Sequence, residues 1–107
     1  MEYISDVWNL SHLRLVVRNL CAEILDRLAE EKRRHKRVAK QVRLGFTQED
    51  ENGEKESGNT FLDVTPGIKS SDLSEGVMSF ILDYPHFDRQ KFRIIELKFA
   101  INEFEPM

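Results

Sequence analysis

Seven cations stand between residues 32 and 43: Lys32, Arg33, Arg34, Lys36, Arg37, Lys40 and Arg43, with His35 among them and no acid in between. Positive charge at that density suits phosphate or an acidic protein surface. It also has a plainer use, because cations in the last turn of a helix offset its macrodipole. The other residues able to do chemistry are scattered. His12, His35 and His86 are far apart, and no second histidine stands four residues from any of them, so a metal site is not expected. Cys21 lies between Leu20 and Ile24 on an apolar stripe, where a small buried side chain is wanted rather than a thiolate nucleophile. Asp63, Asp83 and Asp88 stand singly, and the five glycines compose no phosphate-binding loop or nucleophile elbow. No catalytic site, cofactor or metal is therefore expected within the chain.

The elements that must position the cations follow from 107 residues, enough for one domain with one core (1–107). Hydrophobic residues are 40% and charged residues 33%, with a mean hydropathy of -0.49, so that core is small. A lone cysteine excludes a disulfide scaffold, and no segment approaches the ~18 apolar residues of a membrane span. With no signal-peptide pattern after Met1, the expected location is cytoplasmic, or nuclear in a eukaryote. The net charge of -3 conceals a dipole: residues 1–46 hold ten Lys/Arg and six Asp/Glu, whereas residues 47–107 hold six and thirteen.

Leu13, Val16, Val17, Leu20, Cys21, Ile24, Leu25 and Leu28 repeat at helical spacing, predicting a helix over about 10–35 with Ser11 as its N-cap. Val42, Leu44 and Phe46 alternate with Gln41, Arg43 and Gly45, the pattern of a half-buried strand. Glu49, Asp50, Glu51, Glu54 and Glu56, interspersed with Asn52-Gly53 and Ser57-Gly58, read as a mobile acidic loop over about 47–59. A short strand over Thr60–Val64 is expected to pair back across it. Asp72 and Glu75 suggest a capping box opening a second helix, with Leu73, Val77, Phe80, Ile81 and Tyr84 on one face and Pro85 as its stop. Phe92–Phe104 reads as a long strand with Ile95, Leu97, Phe99 and Ile101 inward. The expected fold is α+β: an antiparallel sheet of three to four strands with two helices packed on one face. Val16, Leu20, Ile24, Val77, Phe80, Ile95, Leu97 and Phe99 would join the two layers, leaving the other sheet face open.

Strung together, these elements resemble the little-finger domain of Y-family translesion DNA polymerases. Three stretches, spread from Leu13 to Phe104, carry the resemblance. Leu13–Leu28 (LRLVVRNLCAEILDRL) is similar to that domain's first helix, with its E-x-x-x-R-L ending. Val38-Ala39-Lys40-Gln41-Val42-Arg43-Leu44 is similar to the strand that follows. Phe92-Arg93-Ile94-Ile95-Glu96-Leu97, with Asn102-Glu103-Phe104 beyond, is similar to the last strand, Glu96 standing where the family commonly has Gly. The resemblance implies a first edge strand ahead of the long helix, for which only Met1–Ile4 is available. It implies a non-catalytic, DNA-binding part of a polymerase whose metal-binding carboxylates lie in a palm domain outside this chain. The partners would be duplex or primer-template DNA and the palm, finger and thumb domains.

A sheet laid along a duplex grips phosphates through cations and leaves the base pairs unread. Strand parity turns Gln41, Arg43, Lys98 and Asn102 outward and puts Arg37 and Lys40 at the entry to the sheet; these six are the expected DNA contacts, while parity counts Arg93 with the inward residues. The alternative is a protein-interaction module, docking an acidic partner on the 32–43 cluster or adding a strand at a sheet edge.

Overall fold

Asn9, and not Ser11, begins the long helix. Its backbone is extended (φ -138°, ψ 154°) and its Oδ1 accepts the His12 N–H at 2.8 Å, satisfying one of the amides that a helix leaves without a partner at its start. From there the apolar stripe winds without interruption from Leu10 to His35 (α1), burying Leu13, Val16, Val17, Leu20, Cys21 and Ile24. Lys36 closes it in the left-handed region (φ 52°), its N–H bonded to the Glu31 carbonyl. Lys32, Arg33, Arg34 and His35 occupy the last turn, where the macrodipole favours positive charge.

The computed structural model describes residues 2–3, 6–64, 67–101 and 104–106. Ahead of α1, Glu2–Tyr3 forms β1; after it come β2 (Arg37–Ala39), β3 (Gln41–Glu49), β4 (Lys55–Asp63), α2 (Ser70–Leu82), β5 (Ile94–Ile101) and β6 (Phe104–Pro106). β1, β5, β3 and β4 lie side by side in that order, every pair antiparallel. Both helices cover one face of this sheet, as expected. Val42, Leu44 and Phe46 of β3 and Leu97 and Phe99 of β5 meet Val16, Leu20 and Ile24 of α1 and Val77 and Ile81 of α2 in one core. No polar or charged residue is buried among the described residues. The edge strand expected ahead of the helix is β1, which pairs Glu2 with Lys98 and Tyr3 with Leu97.

Four further expectations are corrected. The segment read as a loop at 47–59 is strand at both ends: β3 and β4 pair without a shift from Gln41↔Asp63 to Glu49↔Lys55. Only 50–54 turns, organised by Asp50, whose Oδ1 accepts the N–H groups of Asn52 (2.8 Å) and Glu54 (2.9 Å) while Gly53 supplies a left-handed backbone (φ 82°). The sequence pattern hides β4 because two of its core-facing positions are Glu56 and Gly58 instead of aliphatics. Gly58 is needed there: a Cβ would stand 2.8 Å from the Tyr84 ring and 2.9 Å from the Phe46 ring. Those rings and Phe80 pack edge-on and stacked, centroids 5.1–5.9 Å apart, filling the space a side chain would take.

Secondly, Asp72 does not cap α2. The helix starts at Ser70 behind Lys69, whose carbonyl receives the Asp72 and Leu73 N–H groups, and Asp72 lies in the first turn, where its charge still suits the dipole. Thirdly, the alternation of the last strand is broken. Thr47 faces Glu96 but Gln48 faces Ile94, leaving Ile95 as an extra residue. The bulge reverses parity upstream, so Ile94 is buried, Ile95 is half-buried, and Arg93 turns away from the core. Finally, the strand pattern of Phe92–Phe104 contains two elements. β6 pairs with β2 in a separate two-stranded ladder (Val38↔Glu105), in the same register as β3 with β5. This ribbon runs beyond the four-stranded sheet, and the molecule is elongated, 48 × 22 × 21 Å.

Candidate nucleic-acid interface

The sheet face that the helices leave open is built in rows by the strand register. Phe61 of β4, Arg43 of β3 and Ala100 of β5 lie side by side. The next row is Asn59, Gly45 and Lys98, and the one beyond it Ser57, Thr47 and Glu96. At the other end Gln41 lies beside Asp63. Arg43 and Lys98 are therefore diagonal neighbours, about 7–8 Å apart, and both are exposed.

Their surroundings differ. The Arg43 guanidinium makes no ion pair among the described residues; its one hydrogen bond is donated by Nη2 to Asn59 Oδ1 at 3.4 Å. Asn59 reaches it by lying over Gly45, where a Cβ would stand 2.9 Å from Asn59 Oδ1. Lys98 Nζ stands 3.6 Å from Glu96 Oε1, an exposed pair that water screens. Gln41 donates from Nε2 to Asp63 Oδ1 at 3.0 Å, so this amide is engaged by a carboxylate at the end of the face. Thr47 and Ser57 hydroxyls share a hydrogen bond of 2.9 Å. The face is thus shallow and polar, with two cations at its centre and Glu96 and Asp63 toward its ends.

Of the six residues expected to contact DNA, Gln41, Arg43 and Lys98 share this face. Arg37 and Lys40 do not belong to it: Arg37 is in β2, its Nη2 2.6 Å from Glu31 Oε2 on α1, and Lys40 occupies the bend between β2 and β3, its carbonyl accepting the Val64 N–H. Asn102 lies outside the described residues. The dense cation run is divided by the path of the chain. Lys32 to His35 form the helix end, and of the seven cations Arg43 alone is on the open face of the four-stranded sheet.

Arg93, released outward by the bulge, is bound elsewhere. Its guanidinium donates to both Asp6 carboxylate oxygens at 3.1 Å and to Glu49 at 3.3 Å. The hydrogen bonds to Asp6, then the charges of Asp6 and Glu49, raise its pKa further above the ordinary value. This cluster fastens the segment before α1 to the end of β3. Cys21 is fully buried, and burial pushes its thiol pKa up, so the protonated form prevails at neutral pH and the side chain acts as a core residue.

The sequence reading missed Phe61, which is 52% exposed on the open face. Its neighbour Leu62 is apolar too, so the pattern alone does not say which of the two points inward. The Val42↔Leu62 pairing decides it by turning Leu62 toward the core. Among the described residues no group of three or more His, Cys, Asp or Glu could hold a metal, and no helix is long and apolar enough to cross a membrane. Comparison with protein-family models and with curated proteins finds no match for this chain.

Proposed function

We propose that this chain is a non-catalytic DNA-binding domain that grips the phosphate backbone without sequence preference, in the manner of the little-finger domain of a translesion polymerase. The observation that carries the reading is the open sheet face, with Arg43 free of acids among the described residues and Lys98 diagonal to it. Such a face can donate to phosphates along a strand while making no base-specific contact. The resemblance in the three sequence stretches adds weight, as does β1, the edge strand that it requires. Palm, finger and thumb domains would supply the catalysis. The net charge of -3 makes the grip weak at physiological salt. The test is binding of labelled duplex and primer-template DNA at ~20 mM salt, where screening is least. Wild type is expected to bind both, and an Arg43→Glu, Lys98→Glu variant neither; equal behaviour of the two proteins defeats the proposal.

A second reading, a protein-docking module, is favoured by the outer edge of β4. The Val64 N–H bonds the Lys40 carbonyl, so even-numbered residues of β4 turn their backbone groups toward β3 and odd-numbered ones turn theirs outward. On that edge the Tyr84 hydroxyl covers the Ser57 carbonyl (3.1 Å), and Asn59, Phe61 and Asp63 are positioned to receive another strand. Binding of a partner there would be nearly insensitive to salt.

A further inference from the structure

A face that only grips phosphates has no use for an apolar ring. Phe61 nevertheless stands on it, half in water, on the same row as Arg43. The positions around this pair are small. Ala100 continues the row, and Gly45, next along β3, leaves a shallow floor crossed by the Asn59 amide. The elements gathered there are an aromatic surface, a guanidinium beside it, a polar amide at the edge and a second cation one diagonal away. Duplex DNA stacks its bases against one another along its length and offers its backbone to such a face; an unpaired base offers a π-face, and any of the four bases will do. Arg43 can then serve either the phosphate or the base, by charge or by cation–π contact.

Resting on the DNA-binding reading above, we propose that the Phe61–Arg43 row is a stacking site for an unpaired nucleobase, so that this face prefers single-stranded DNA, or the overhang of a primer-template, to blunt duplex. Lys98 would hold the phosphate of the stacked nucleotide or its neighbour. Of the acids bordering the site, Glu96 is paired with Lys98, which offsets its charge, while Asp63 is held by the neutral Gln41 amide and keeps its charge. The occupant is a nucleic-acid strand by charge complementarity: Arg43 lies beside the ring and Lys98 one diagonal further on the same face, and an apolar peptide covering Phe61 would bury Arg43 without an acid to meet it.

The experiment uses the full chain and fluorescein-labelled oligo-dT of about 12 nucleotides, a blunt duplex and a primer-template, each titrated at ~20 mM salt. Oligo-dT is expected to bind more tightly than blunt duplex. Phe61→Ala should lower oligo-dT affinity about tenfold and leave duplex affinity within about twofold, while Phe61→Trp retains or strengthens oligo-dT binding. Phe61 is exposed, so these variants should fold, which far-UV circular dichroism verifies. If Phe61→Ala leaves oligo-dT affinity unchanged while Arg43→Glu, Lys98→Glu abolishes binding, the stacking site is refuted and the backbone grip stands. If neither oligo-dT nor duplex binds wild type, both fail. Concentration-dependent self-association that Phe61→Ala removes, without DNA binding, would assign the ring to a second copy of the chain and overturn the proposal.

Discussion

The two faces of β3 place opposite demands on the same nine residues. Val42, Leu44 and Phe46 turn to the helices and are at most 2% exposed, whereas Gln41 and Arg43 alternate with them and are exposed. Inward positions are held by close packing from every side. Outward ones are held by single hydrogen bonds, Gln41 to Asp63 and Arg43 to Asn59. Stability is therefore concentrated on one face of the strand, and the other carries charge beside the exposed Phe61 ring of β4. Outward positions held so loosely are expected to tolerate substitution, Gly45 apart, where a Cβ would stand 2.9 Å from Asn59 Oδ1.

The largest effect that could break this comparison is on the inward side. Leu44→Ala removes a fully buried side chain from the core beneath the helices and should cost about 2–5 kcal/mol in denaturant unfolding. A loss below ~0.5 kcal/mol would mean that the packing on this face is not what holds the sheet. Gly58→Ala should come next. The added methyl must displace the Tyr84 or Phe46 ring, and overpacking of that kind costs about 1–3 kcal/mol. A neutral result would show that the aromatic cluster yields freely.

These residues also show how much was legible beforehand. α1 could be read to its ends because eight apolar residues keep helical spacing, and β3 because its inward Val42, Leu44 and Phe46 are aliphatic or aromatic. The open face follows from the same alternation, which places Gln41, Arg43 and Lys98 on it. β4 was half hidden because Glu56 and Gly58 face the core, and there the deciding partners, Tyr84 and Phe46, are distant in sequence. Ile95 misled by belonging to a bulge, which no local pattern separates from regular alternation, and Arg93 was misplaced with it. Asn9 outcompeted Ser11 as the cap because the choice depends on which side chain reaches the His12 N–H. Phe61 was overlooked because its direction is settled by strand pairing and not by its own chemistry.

Amide exchange sharpens the comparison at β4. Gly58 and Thr60 direct their N–H groups to β3 and should exchange slowly, whereas Asn59 and Phe61 direct theirs to solvent and should exchange fast. Alternating protection along 56–62 is the expected pattern. Uniformly fast exchange over that stretch would restore the mobile loop and remove the support on which Phe61 stands.

The smallest expected change in stability belongs to the outward residues themselves. Arg43→Ala and Lys98→Ala each delete an exposed side chain with one weak partner, so unfolding free energies should stay within about 0.5 kcal/mol of wild type. Binding should not be so tolerant. If each cation meets one phosphate, each substitution lowers the slope of log affinity against log salt for duplex DNA by about one unit, and the double substitution by about two. The two measurements bear on different links: stability asks whether the face is idle in folding, and the salt slope asks whether it is busy in binding. A variant that loses more than ~1 kcal/mol of stability would make Arg43 a structural residue whose effect on DNA is indirect. Unchanged stability with an unchanged slope would separate the open face from phosphate altogether and move the outer edge of β4 ahead as the surface that this domain uses.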